Sequence, residues 1–194
     1  MEAIEFKEFG KIARLSRDCV ITEKIDGTNA QIYIYECPRP DVDGSKTCGE
    51  PHLLVGSRTR WLSLAEDNHG FYKWSMDHRE ELMQLGQGRH YGEWWGSGIQ
   101  RGYGLPQGEK RFSLFNTGRW NVDTVPSCVS VVPVLYAGLF STTEALNCLD
   151  MLRVFGSRAA PGFKRAEGII VYHTAGNVYF KKTLEKDEAP KCIK

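Results

Sequence analysis

The chain has 194 residues, 25 Lys and Arg against 24 Asp and Glu, a formal net charge of +1 and 41% hydrophobic content. That is enough for one buried core but not for two full domains, and the composition is that of a folded globular protein rather than a disordered one. The near-neutral balance excludes a global positive field, so any nucleic-acid binding has to come from a local basic groove.

The N-terminus mixes acids and bases without an apolar core and does not read as a secretory signal. The first segment that bears on chemistry is a charged, turn-forming heptad, Glu23-Lys24-Ile25-Asp26-Gly27-Thr28-Asn29. Directly after it Ala30, Ile32 and Ile34 alternate with Gln31, Tyr33 and Tyr35, the period of two of a half-buried strand. Residues 38–51, rich in Gly, Pro, Asp and Ser, predict a long loop, and residues 53–56 a return to the sheet. Residues 66–85 read mainly as helix, with Phe71, Trp74, Leu82 and Leu85 on its buried side and Gly86 and Gly88 as its stop.

Strands are predicted at residues 90–95, 111–116 and 129–136, separated by a glycine-rich loop over 96–108. Ser141 or Thr142 caps a helix that reaches Phe155, with Glu144 near the capping-box position and Gly156 as its end. Residues 168–173 and 178–182 flank Thr-Ala-Gly-Asn and read as a hairpin. The sum is a single α+β domain over 1–194, dominated by antiparallel sheet. The longest apolar run, residues 129–140, is interrupted by Ser130, Pro133 and Gly138 and is too short to span a bilayer. These features point to a cytoplasmic protein. Six scattered cysteines without a C-x-x-C read as reduced packing thiols, and Cys37, Cys48 and His52 as parts of a loop insertion rather than a zinc site.

A lysine on the Glu23–Asn29 turn can present its amine to a ligand while the sheet fixes its base. To act as a nucleophile on a phosphate that amine must be neutral, whereas an ordinary lysine, with a pKa of about 10.4, is almost wholly protonated near neutral pH. Lys181, Lys182, Arg58 and a bound Mg²⁺ are the cations available to favour the neutral form and to stabilise charge developing on the phosphate. A hairpin turning at Ala175 would put Glu167 opposite Thr183, one diagonal from Lys181. A metal bridging Glu167 and phosphates is one reading of that geometry, and an ordinary cross-strand ion pair is the other.

Five or six segments in order carry a resemblance: the heptad around Lys24, Ser57-Arg58-Thr59-Arg60, Tyr91-Gly92-Glu93, residues 112–116, Glu167-Gly168-Ile169-Ile170-Val171, and Lys181-Lys182. They resemble the ligation motifs of the covalent nucleotidyltransferase superfamily, which contains DNA ligases, RNA ligases and messenger RNA capping enzymes. The resemblance implies an ATP-grasp-like nucleotidyltransferase domain of antiparallel sheets flanked by helices, with Lys24 as the residue that takes the nucleotide and Glu167, Lys181 and Lys182 as catalytic partners. It implies nucleotide contacts from Glu23, Ile25, Asn29, Arg58, Glu93, Phe115, Glu167, Lys181 and Lys182, Phe115 stacking on the purine and Glu93 meeting the ribose hydroxyls. It assigns the metal, Mg²⁺ or Mn²⁺, to Glu167 and Asp26.

Two departures stand out. Asn116 follows the stacking aromatic where the family places an acid, and the two lysines of the last motif are adjacent rather than separated by one residue. On alternating strand faces only one of an adjacent pair can enter the pocket, and Phe180-Lys181 matches the family step better. Only residues 184–194 follow that motif, which leaves no room for the OB-fold that capping enzymes and most DNA ligases append. The Glu-Lys-Ile-Asp-Gly-Thr-Asn run looks most like RNA ligases. The resemblance therefore implies an ATP-dependent RNA ligase joining a 5′-phosphate to a 3′-hydroxyl, with a nicked duplex and an RNA–DNA hybrid also open as substrates. Arg101, Lys110, Arg111 and Arg119 are candidates to contact RNA phosphates. A minimal DNA ligase, a GTP-using capping-type enzyme and a non-catalytic module binding nucleic-acid ends are the alternatives.

Overall fold

A computed structural model describes residues 4–36, 51–185 and 187. Two antiparallel-dominated sheets with three helices form an α+β fold, and no barrel closes among the described residues. Sheet A has the strand order β7-β1-β8-β9, from β1 (Asp18–Lys24), β7 (Val134–Leu139), β8 (Gly168–His173) and β9 (Val178–Thr183). Sheet B has the order β3-β2-β4-β5-β6, from β2 (Thr28–Glu36), β3 (Pro51–Ser57), β4 (Gly88–Gly96), β5 (Lys110–Leu114) and β6 (Ser130–Val131), with β6 parallel to β5.

Alternation decides what each face does. In β2 the even side chains Ala30, Ile32 and Ile34 are buried with Val55, Trp94, Phe112 and Leu114 beneath α1 (Phe71–Asp77) and α2 (Arg79–Met83). The odd face carries Asn29, Gln31, Tyr33 and Tyr35, with Tyr91 and Glu93 of β4 across from them. In sheet A the odd positions Cys19 and Ile21 pack with Ile169 and Val171 against Cys148, Leu149 and Leu152 of α3 (Thr142–Phe155). Ser141 caps α3, its hydroxyl accepting from the Glu144 amide at 3.1 Å.

Three expectations are corrected and one element is added. The long helix over 66–85 is two short helices, broken at His78, whose backbone (φ −109°, ψ 22°) is not helical. The strand expected over 129–136 is β6 and β7 in different sheets, because Pro133, with no N–H to donate, falls between them and its carbonyl accepts from the Glu23 amide at 2.9 Å. The β8–β9 hairpin is shifted by one residue: Gly168 faces Thr183, and the Glu167 carbonyl accepts from Leu184. β1 is an element that the sequence pattern did not announce. Cys37, Cys48, Cys192 and most of the expected loop over 38–51 lie outside the described residues. Of the other cysteines, Cys19 and Cys148 are buried free thiols and Cys128 is partly buried.

Candidate active site at the junction of the two sheets

Lys24 is the last residue of β1 in sheet A and Thr28 the first of β2 in sheet B, so residues 25–27 form the bridge between the sheets. That bridge is pinned at each residue. Ile25 is buried against Trp95, Tyr103, Val132 and Ala160. The Asp26 amide donates to the Tyr103 hydroxyl at 2.8 Å, and the Asp26 carboxylate accepts from Arg101 Nε at 2.9 Å. The Gly27 amide donates to Glu93 at 3.1 Å. A Cβ on Gly27 would stand 2.5 Å from the Trp94 carbonyl oxygen and 2.8 Å from Trp95 Cβ, so only glycine fits.

Around the bridge the structure gathers three charged groups. Lys24 Nζ donates to Glu167 Oε2 at 2.5 Å, with both side chains largely out of solvent. Glu93 is 8% exposed, one carboxylate oxygen accepting from Gly27 and the other from Asn29 Nδ2 at 2.9 Å. Burial pushes the Glu93 carboxyl up to about 7, an effect that Lys24, Asn29 and Gly27 oppose and Glu167 reinforces. Burial also raises Glu167 above the ordinary carboxylate range, against the lowering effect of Lys24. Glu167 meets Lys24 rather than Lys181, because it precedes β8 and is free of the ladder's alternation.

The other predicted positions fall as follows. The Glu23 side chain is buried on the α3 face, opposite to that of Lys24, where Oε2 accepts from the Arg158 and Ala159 amides at 2.7 and 3.0 Å. Its Oε1 has no hydrogen-bond partner among the described residues, and burial raises its pKa. In the register of β1, β8 and β9, Lys181 aligns with Ile170 and Thr22, on the face of Lys24, whereas Lys182 aligns with Ile169 and Glu23 on the other. Lys181 is exposed; Lys182 pairs with Asp187 at 2.8 Å. Phe115, 40% exposed, follows β5 beside Tyr91. Asn116 accepts from the Gly118 and Arg119 amides, so a turn uses the side chain that stands in place of the family's acid. Arg58 lies in the exposed turn after β3, next to Ser57, which pairs with Ala30.

The four candidate phosphate contacts each have a protein partner: Arg101 with Asp26, Lys110 with the His69 carbonyl, Arg111 with Glu109, and Arg119 with the Leu85 carbonyl. Sequence reasoning missed Tyr103 and the structural task of Arg101. Both come from the glycine-rich loop, where Tyr103 adopts a positive φ of 53°, and no periodicity or spacing signals a partner 75 residues away.

The arrangement defines a class: a lysine amine paired with a carboxylate where two antiparallel sheets meet, beside a second buried carboxylate and an exposed aromatic. The family model described as RNA ligase matches residues 17–186, and the chain belongs to the RNA ligase family. No curated protein matches the chain significantly. Among solved structures it is similar to variants of Naegleria gruberi RNA ligase. One without ligand has a TM-score of 0.55 at 20% identity, over 87% of this chain and 50% of that one. A variant with ATP and Mn has a TM-score of 0.57 at 19% identity, over 88% and 51%. One with AMP and Mn has 0.53 at 16% identity, over 86% and 49%. At these identities the likeness is one of fold, and the chain spans about half the length of the structures it matches.

Proposed function

We propose that this chain is the adenylylating domain of an ATP-dependent RNA ligase, with Lys24 as its nucleophile. The observation that carries the reading is the 2.5 Å contact between Lys24 Nζ and Glu167 Oε2 in a site largely closed to solvent. Lys24 needs a proton acceptor, and Glu167 is the carboxylate within reach, its own pKa raised by burial towards that of an acceptor for an amine proton. In the first step Lys24 gives a proton to Glu167 and its nitrogen forms the N–P bond to the α-phosphorus of ATP. The P–O bond to pyrophosphate breaks, its electron pair leaving with pyrophosphate. The lysyl-AMP then passes AMP to a 5′-phosphate RNA end, and a 3′-hydroxyl displaces AMP to seal the strand.

Other residues serve binding. Asn29 and the Gly27 amide hold the Glu93 carboxylate where ribose hydroxyls can donate to it, and Phe115 offers an exposed ring face to the purine. Lys181, on the face of Lys24, is the strand cation placed to meet the phosphates. Glu23 and Ile25 act by fixing the backbone on either side of Lys24, and Lys182 pairs with Asp187. Arg58 would meet the sugar or phosphate region.

A divalent ion, Mg²⁺ or Mn²⁺, fits the donor set in a restricted way. Among the described residues no three His, Cys, Asp or Glu side chains cluster, so an ion would take the Glu167 carboxylate and fill its shell with phosphate oxygens and water, the usual habit of Mg²⁺. Asp26, near enough to raise the pKa of Glu167, adds negative charge there. When bound, the ion supplies neutralisation of phosphate charge.

The test is adduct formation. Incubated with α-labelled ATP or GTP and Mg²⁺ and run on a denaturing gel, the protein is expected to carry label from ATP, and Lys24→Ala to carry none. Label from GTP alone would move the protein to the capping-type branch. Unlabelled, folded protein free of bound adenylate would leave an end-binding module in place of an enzyme.

A further inference from the structure

The open face of sheet B carries an array that nucleotide transfer at Lys24 does not use. Tyr33 and Tyr35 of β2 stack with centroids 5.3 Å apart at 16° between planes, and Trp61 stacks on Tyr33 at 6.2 Å and 21°. The Arg89 guanidinium lies 4.2 Å from the Tyr33 centroid and 5.4 Å from that of Trp61, and Arg89 Nη1 donates to Gln31 at 3.2 Å. Gly56 makes room for it: a Cβ there would stand 2.8 Å from Gln31 Cγ and 3.1 Å from Trp61 Cε3. Trp61 is 43% exposed and Arg89 is exposed.

The strand register makes this array continuous with the site. Asn29, Gln31, Tyr33 and Tyr35 share one face of β2, and their partners on β4 are Glu93, Tyr91 and Arg89 in that order. Phe115, 40% exposed, and Tyr91, 52% exposed, lie between Glu93 and the array. A row of stacked rings and one guanidinium plane thus runs away from Lys24 along β2, with Trp61 and Arg89 as its exposed members and Tyr33 holding them together. Aromatic and guanidinium planes in such a row are what unpaired bases stack on, and a cation among them suits the phosphates between. Duplex RNA offers no exposed base faces along its length and would gain nothing from the row.

We propose that Tyr33, Trp61 and Arg89 form a stacking platform for the single-stranded RNA segment next to the end held at Lys24. The proposal rests on the RNA ligase reading for its ligand. It assigns end-holding to the adenylylating domain itself, through bases rather than through phosphates alone. Because stacking is indifferent to base identity, the preference is for single strand over duplex and not for a sequence.

The test measures anisotropy of labelled 5′-phosphorylated RNA, single-stranded and blunt duplex, at one fixed salt concentration. Wild-type protein is expected to bind the single strand more tightly than the duplex. Trp61→Ala and Tyr33→Leu are each expected to weaken single-strand binding by roughly 5- to 100-fold, while Tyr33→Phe stays within about twofold and all three form the Lys24 adduct as wild type does. Arg89→Gln, at an exposed side chain, keeps the test open if a ring variant does not fold, with a several-fold loss expected. Variants that form the adduct yet bind RNA like wild type would overturn the platform and leave the ligase reading intact, the rings then being sheet packing. Equal binding of single strand and duplex, or no binding of either by wild type, would overturn it too. Absence of the wild-type adduct would remove the ligase reading, while the binding comparison would still judge the platform as an RNA site.

Discussion

Glu93 is costly to keep. Its carboxylate is buried, and the two hydrogen bonds from Gly27 and Asn29 do not offset desolvation, so its folded-state pKa lies at about 7, above the ordinary value of 4.5. A carboxyl whose folded pKa is raised binds its proton more tightly when folded. Its contribution to stability is therefore full below about pH 4.5 and falls as pH rises to about 7, by about 3 kcal/mol on this shift. Glu93→Gln removes that slope: the stability difference between variant and wild type, from denaturant melts, is expected to grow in the variant's favour from pH 4.5 to 7. Ribose hydroxyls donating to Glu93 favour its ionised form, so ATP binding by wild type is expected to weaken as pH falls below 7, and that by Glu93→Gln to be weaker but flat. Calorimetric titration at several pH values checks both. At the neighbouring carboxylate, Glu167→Gln removes the group proposed to accept the Lys24 proton, and single-turnover adduct formation is expected to slow by about 10²–10⁴-fold.

At the scale of elements, the bridge from β1 to β2 matters most, because it sets Lys24 of sheet A beside Glu93 of sheet B. Gly27→Ala drives a Cβ into backbone and Trp95, and the chain can give way only by moving β4. The expected result is a loss of about 1–3 kcal/mol in stability together with loss of the adduct, seen by thermal melting and labelling on one preparation. α3 provides a contrasting case remote from chemistry. Ser141→Ala removes an acceptor from the Glu144 amide and is expected to lower stability by about 1 kcal/mol with adduct formation by the folded protein unchanged. In the hairpin a single residue of slip would exchange the faces of Lys181 and Lys182.

At the scale of the whole molecule, the site draws on both sheets, Lys24 from sheet A and Glu93 from sheet B, joined through the cluster of Ile25, Trp95 and Tyr103. All five tryptophans, Trp61, Trp74, Trp94, Trp95 and Trp120, lie in or beside sheet B, so intrinsic fluorescence reports on that half. Leu152 is fully buried under sheet A. If the junction couples the halves, Leu152→Ala lowers the fluorescence-detected midpoint by the equivalent of about 2–5 kcal/mol; an unchanged midpoint with lost helical signal would show two independent units. Among the described residues no helix is long and apolar enough to cross a membrane.

Local pattern made most of the architecture legible. The alternation in residues 30–35, the Thr-Ala-Gly-Asn turn and the Ser141 cap are written in neighbouring residues, and backbone periodicity translates such patterns directly into strands, hairpins and capped helices. The heptad around Lys24 likewise drew attention to the lysine that the structure pairs with Glu167. What spacing cannot express is which distant groups share a volume. That Glu167 reaches Lys24, that Tyr103 and Arg101 hold Asp26, and that Pro133 parts two sheets rather than bending one follow from packing between segments up to 143 residues apart. The sequence alone determined a lysine shortly before a strand in an α+β chain; that this lysine itself ends a strand came from the fold. Only the tertiary structure decided which carboxylate meets that lysine, because burial and proximity, which set that choice, belong to the assembled sheets and not to any stretch of chain.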